Sequence, residues 1–308
     1  MTRFPRLFEP MQIGALELRN RVVFAAHGTG HALTSDSYLA YLGERARGGA
    51  GLIITQGTPT VPCFEDVFPK PFLYDDAIVP GLRRLSSAMH DQGAAILVQM
   101  FDIGGLGTAG FSSVPFRVLE QAMQPRALSV REIEDRIGFY VRGAVNARDG
   151  GMDGVEIHAA HGVGINQALS PLFNRRTDRF GGDWKGRATY LLEILSAVRK
   201  AVGRQFVISV RLNADESGVG GYSLQDGVQT AALLAATGDI DLLNIDFGVE
   251  GIDDYSVVPS SYARPNPMAY AQKAVRDAVH PFPVLGGGRL HSPEQAEAAL
   301  AEGVADLV

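Results

Sequence analysis

Cysteine is nearly absent from this chain. Cys63 is the only one, so no internal disulfide and no thiolate cluster can hold the fold, which must rest on its apolar core. Cys63 itself reads as inert. A run of about eighteen apolar residues, the length that crosses a bilayer, is missing. The N-terminus, MTRFPRLFEP, lacks the apolar stretch of a secretory signal. A cytoplasmic protein that does not engage membranes is therefore expected. A basic excess is missing too: the net charge is −6, which gives no electrostatic footprint for nucleic acid. Neither G-x-G-x-x-G opening a helix nor G-x-x-x-x-G-K-[ST] occurs, which argues against the open nucleotide-binding sheets that carry those loops.

What is present is a recurring phrase: a helix end, one or two glycines, a small or acidic residue, then a buried strand. It reads ARGGAGLIITQG (46–57), ARDGGMDGVEIH (147–158), AATGDIDLLNID (235–246) and LAEGVADLV (300–308). Glycine after a last helical turn is the usual left-handed cap, and the apolar runs that follow are too continuous for half-exposed antiparallel strands. Further strands fit 94–100 (AAILVQM), 206–212 (FVISVRL), 282–286 (FPVLG) and 21–25 (RVVFA). Eight alternating units favour an α/β fold of the closed (β/α)8 TIM-barrel kind, one domain spanning 1–308. The segment MQIGALELRN (11–20) alternates around a glycine as a short hairpin does, placed to plug the barrel's amino-terminal end. The chain reaches Val308 with no eighth helix, as if cut off at the eighth strand.

In such barrels ligands bind at the carboxyl ends of the strands. Unusual polar residues fall there: Gln99, Glu156, His158, Arg211, Asn244 and Asp246. A barrel interior prefers branched apolar side chains, so Arg211 requires an anionic partner, a cofactor or a structural carboxylate. The stretch 154–182 (GVEIHAAHGVGINQALSPLFNRRTDRFGG) sets His158 and His161 at a strand end. Their spacing brings two imidazoles into one cavity as donors to a developing oxyanion; a zinc site or plain structural histidines are the alternatives. His27 follows the first strand and faces the same mouth, His31 belongs to a loop, and Tyr38, Tyr41 and Leu42 fit the packing side of a helix. In VLGGGRLHSPEQ (284–295), glycines after a strand make an anion nest beside Arg289, where loops of barrels often take phosphate; a tight turn is the plainer reading. Glu250, Asp253 and Asp254 in GVEGIDDYS (248–256) lie where one of them meets a substrate, or form a solvated loop.

In order along the chain, LFEPMQIGALELRNRVVFAAH (7–27), GLIITQG (51–57), ILVQM (96–100), GVEIHAAHG (154–162), NRRTDRFGG (174–182), SVRLN (209–213) and VLGGGRL (284–290) resemble the old yellow enzyme family of FMN-dependent NADH:flavin oxidoreductases. The resemblance implies FMN held by the backbone around Ala25, Ala26 and His27, by Gly57 beside the ring, by Gln99 and Arg211 at the pyrimidine end, and by Gly287, Gly288 and Arg289 at the phosphate. It implies that His158 and His161 bind the substrate's oxygen, and that NADH or NADPH reduces the flavin before hydride passes to an activated alkene. Asp254 and Tyr255, in the loop after the sixth strand, are the candidate substrate contacts that position offers.

Three positions depart from the family pattern. Val163 stands where many alkene reductases have a proton-donating tyrosine. Asp102 stands at a usual histidine position. Ala26-His27-Gly28 replaces Pro-Met-Thr or its cysteine variant, which removes a covalent cysteine link to flavin. AAHGTG and NQALSPLFN resemble the branch containing 2,4-dienoyl-CoA reductase and trimethylamine dehydrogenase; there a 4Fe-4S segment and a nucleotide-binding region would lie beyond residue 308. The expected function is thus an FMN oxidoreductase acting on a small-molecule α,β-unsaturated substrate, compatible with a homo-oligomer. An amine dehydrogenase or N-demethylase is the alternative, and a non-catalytic flavin-free barrel the alternative of another class.

Overall fold

A computed structural model describes residues 3–62, 70–104, 109–112, 116–118, 121–216, 220–249 and 257–308. Cys63, Glu250, Asp253, Asp254 and Tyr255 lie outside the described residues. Seven parallel strands form one sheet in sequential order: β1 (Val23–Phe24), β2 (Leu52–Pro59), β3 (Ala95–Phe101), β4 (Gly154–Ala159), β5 (Val207–Asp215), β6 (Leu242–Phe247) and β7 (Val284–Leu285). Residues 306–308 join its two edges. Leu307 bridges Leu285 in parallel, the Asp306 amide donates to the Val284 carbonyl at 2.8 Å, and the Val23 amide donates to the Val308 carbonyl at 2.7 Å. The eighth strand position is thus filled, and the sheet closes through it.

Helices α1 (Asp36–Arg47), α2 (Val79–His90), α3 (Val130–Asp149), α5 (Trp184–Val202), α6 (Leu224–Thr237), α7 (Ala269–Val279) and α8 (Pro293–Ala301) alternate with the strands, and the short α4 (Gly164–Leu169) follows β4. Their starts carry the expected chemistry. Ser129 with Glu132 and Ser223 with Asp226 make reciprocal capping boxes, and the Ser292 side chain accepts from Gln295. The recurring glycines end the helices as expected, with one refinement: where two occur together the second carries the left-handed turn, Gly49 at φ 106° and Gly151 at φ 75°.

Strand alternation separates two apolar cores. Ile53, Ile96, Val98, Val155, Ile157, Ile208, Val210 and Val284 pack outward among the helices. Leu52, Ile54, Leu97, Val207, Leu242, Leu285 and Leu307 point into the barrel near the strand starts, where Ile13 and Leu18 meet them. Those two residues come from an antiparallel hairpin, Met11–Ile13 with Leu16–Leu18, that turns at Gly14 (φ 55°) and plugs this end. With the lower interior filled by apolar side chains, the polar inward residues are all displaced to the carboxyl mouth.

Candidate active site

The mouth is built by inward positions two residues apart on neighbouring strands. Glu156 and His158 project from β4, Ser209, Arg211 and Asn213 from β5, Asn244 and Asp246 from β6, and Gln99 from β3; the register pairs Glu156 with Gln99 and Ser209, and His158 with Arg211. Sequence reasoning picked out most of these but missed Asn213 and Ser209, although both keep the period-two pattern around Arg211 that could have revealed them.

Asp246 is the anionic partner that Arg211 required. Its Oδ2 accepts from Arg211 Nε at 2.6 Å and also faces Arg211 Nη2, while its Oδ1 accepts from the Phe247 amide at 2.9 Å. His161 Nε2 stands 3.2 Å from the same Oδ2, within ion-pair distance but outside hydrogen-bond alignment. Burial alone would push the Asp246 carboxyl up, but Arg211 and then His161 offset this and hold it far below the usual carboxylate range. Arg211 Nη1 reaches the Ala26 carbonyl at 3.3 Å, tying the loop after β1 to the mouth.

The two histidines do meet. Their rings lie 5.1 Å apart at 77°, and both are buried. His158 Nδ1 accepts from the Ala160 amide at 3.2 Å, so the ring's proton sits on Nε2 and His158 is a neutral donor. Burial, then repulsion from His161 and Arg211, lowers its pKa well below the ordinary value and keeps it neutral. Phe101 stacks edge-on against it at 5.6 Å. His161 adopts a left-handed backbone, φ 64°, and its amide donates to Asn213 Oδ1 at 3.4 Å. The next residues are fixed by side chains from α4: the Gly162 amide donates to Asn166 Oδ1 at 2.6 Å and Gln167 donates to the Gly162 carbonyl at 2.8 Å. Among the described residues no three His, Cys, Asp or Glu side chains converge to hold a metal ion.

Beside Arg211 opens a cavity of about 430 Å³, lined by Ala25, Asn244, Asp246, Gly287, Gly288 and Arg289 among others. At its far end Gly288 takes φ 105° and Arg289 φ 61°; Arg289 Nε and Nη1 are buried with no hydrogen-bond partner among the described residues. Two unsatisfied guanidinium nitrogens beside a glycine turn fit a phosphate. Gln272, which sequence reasoning missed, is wholly buried on α7 and donates to the Gly287 carbonyl at 2.7 Å, bracing that turn. No sequence signal separates it from a surface glutamine. A cavity with a buried guanidinium, Arg211, on one side and the Gly287, Gly288 and Arg289 turn on the other has the chemistry to fit FMN.

Other positions divide. At Gly57, beyond an irregularity in β2, a Cβ would stand 3.1 Å from Gln99 Oε1 and 3.2 Å from Phe101, so only glycine fits without a shift. His27 is exposed and pairs with the Tyr41 hydroxyl at 2.7 Å, whereas Tyr38 and Leu42 are core. Asp102 is buried and bound to Arg136 at 2.6 Å, a structural use of the position where the family has histidine. Val163 is buried at the start of α4.

A model of the NADH:flavin oxidoreductase / NADH oxidase family matches residues 6–308. The chain is 36% identical to an NADH oxidase of Thermoanaerobacter brockii, covering 100% of this chain and 49% of that protein. It is 33% identical to an N,N-dimethylglycine/sarcosine dehydrogenase of Chromohalobacter salexigens, covering 99% and 46%. Among solved structures, a 2-naphthoyl-CoA reductase superposes with a TM-score of 0.91 at 26% identity, covering 99% of this chain and 49% of that one. Morphinone reductase in complex with tetrahydroNAD superposes with a TM-score of 0.78 at 26% identity, covering 99% and 86%. The chain thus spans about half the length of the curated relatives it matches.

Proposed function

The chain belongs to the NADH:flavin oxidoreductase / NADH oxidase family, and on that premise we propose that residues 1–308 form one cytoplasmic FMN-binding unit in which NAD(P)H is the reductant and an activated alkene the acceptor. The observation that carries this reading is the pairing of a neutral, buried His158 donor with His161 beside the cavity that ends on Arg289, whose Nε and Nη1 have no partner among the described residues. The chemistry a bound FMN supplies is hydride transfer, from NAD(P)H and onward to the alkene carbon β to the activating group.

The chain's own residues do the rest. Arg211, clamped by Asp246, and Gln99 take the pyrimidine end, while the amides of Gly287 and Gly288 with Arg289 take the phosphate. His158 Nε2–H and His161 then donate to the substrate's carbonyl or nitro oxygen, which gains negative charge as hydride arrives; buried donors already in place stabilise that charge without reorganisation. Phe101, edge-on against the His158 ring, excludes water from that side of it. Val163 has no proton to give, so the proton that completes reduction does not come from that position.

The second reading, oxidation of an N-methyl amine, is favoured by the 33% identical dimethylglycine/sarcosine dehydrogenase and by a carboxylate, Asp246, in the mouth. The test of the substrate shell is the double variant His158→Ala/His161→Ala. It should keep FMN and lose about a hundredfold in affinity for a phenol or enone, since two charge-assisted or buried donors are removed. Loss of FMN with the ligand would place the pair in the cofactor's shell and refute the assignment.

A further inference from the structure

Glu156 is fully buried beneath the mouth, and among the described residues the side chains that hydrogen-bond to it are all neutral. Three neutral donors from three strands converge on it: Gln99 Nε2 from β3 at 2.8 Å on Oε1, and Ser209 Oγ from β5 at 3.1 Å and Asn244 Nδ2 from β6 at 2.9 Å on Oε2. Such a carboxylate accepts only, so it dictates how Gln99 faces: the amide NH2 is turned down to Glu156, and Oε1 is turned to the Gly57 side, 3.1 Å from where a Cβ there would stand. It also acts at a distance. Burial opposes the charge of Arg211, but Asp246 in contact with it and then Glu156 behind it outweigh this and hold it charged. One guanidinium is therefore answered by two carboxylates, and neutral donors leave the charge of Glu156 uncancelled.

We propose that Glu156 is a positioning and redox-tuning residue of the cofactor site: it fixes Gln99 as an acceptor for the pyrimidine N3–H, and its charge offsets Arg211 so that reduced, electron-rich FMN is held less favourably. This rests on the FMN reading above. Reduction gathers negative charge at the pyrimidine end, and a fixed negative charge in a low-dielectric interior opposes it. Removing that charge while keeping the side chain's shape shifts bound flavin toward the reduced form. Arg211 stays charged across the working range, so loss of a negative charge behind it leaves its guanidinium less offset toward the flavin.

The experiment uses the full chain loaded with FMN, equilibrated anaerobically against reference dyes. Glu156→Gln should move the equilibrium toward reduced flavin by about tenfold, which for two electrons is about 30 mV. Ser209→Ala, which removes a donor and keeps the carboxylate, should give no such rise. A Glu156→Gln potential that is unmoved or lower overturns the tuning, as does an equal rise in Ser209→Ala, which would reduce the effect to packing. A measurement on the unaltered chain covers loss of the fold in the variant. N3-methylated FMN offers no N3–H to Gln99 Oε1 and should bind at least tenfold more weakly than FMN, and equal binding overturns the positioning role. A chain that binds no FMN at all would fail the functional reading itself and this inference with it; FMN bound with an unmoved potential fails the inference alone.

Discussion

One oxygen of Asp246 faces both Arg211 and His161, so its loss is felt by the cofactor side and the substrate side together. Replacing it with asparagine leaves a guanidinium buried without its counterion, a change that costs about 3 kcal/mol or more. Asp246→Asn should lower the melting temperature of the cofactor-free chain by several degrees and weaken FMN binding at least tenfold, read by thermal denaturation and by fluorescence titration. An unchanged affinity would show that Arg211 is oriented by something else. His158 gives the pH dependence. Its folded pKa is depressed by burial, so below the ordinary histidine value of about 6.5 the unfolded chain binds a proton that the folded chain refuses. Stability is therefore lost as pH falls from about 7 toward 5, with a limiting slope of about 1.4 kcal/mol per unit for this one group. His158→Asn should flatten that part of the profile. Arg289 is the third residue with a clear reading: Arg289→Gln removes the one charge that the described residues place on the glycine turn's side of the cavity and should weaken FMN by about tenfold to a hundredfold while sparing phenol affinity per FMN bound.

At the scale of elements, the segment that turns from β4 into α4 is the most constrained part of the mouth. His161, Gly162 and Gly164 all have positive φ, and a Cβ on Gly164 would stand 2.4 Å from the Asp102 carbonyl. Backbone cannot yield as a flexible side chain does. Gly164→Ala should destabilise the fold by about 3 kcal/mol and displace His161, seen as a lower melting temperature together with weaker phenol binding. This segment also marks where sequence reading ends. The pairing of His158 and His161 was legible because a strand end and a fixed spacing determine it. The partner of Arg211 was legible as a need, a buried charge requiring an anion, and Asp246 stood out on the neighbouring strand. Gln272, Asn166 and Gln167 were not legible, because their role is to brace loop backbone through contacts set by tertiary placement. The tautomer of His158 likewise follows from one backbone amide, at Ala160, whose direction no residue pattern encodes.

For the whole molecule, a barrel with one end packed and the other polar explains why the candidate site lies at the mouth. The hairpin carrying Ile13 and Leu18 plugs the lower end, and both residues are essentially inaccessible. Ile13→Ala should cost about 2 to 5 kcal/mol by leaving a cavity among the strand starts, and because the mouth lies a strand's length away, FMN affinity should change little in the folded fraction. The α/β barrel was readable from the recurring glycine and strand phrase, its eighth strand included: residues 306–308 hydrogen-bond to β7 on one side and to Arg21 and Val23 on the other. The function proposed for this mouth is flavin chemistry between a nicotinamide and an alkene. Anaerobic visible spectroscopy of the FMN-loaded chain tests it most directly, by adding NADH or NADPH and then a cyclic enone. The yellow absorbance should bleach with a nicotinamide and return with the enone; bleaching by a small methylated amine and by neither nicotinamide would contradict the proposed function.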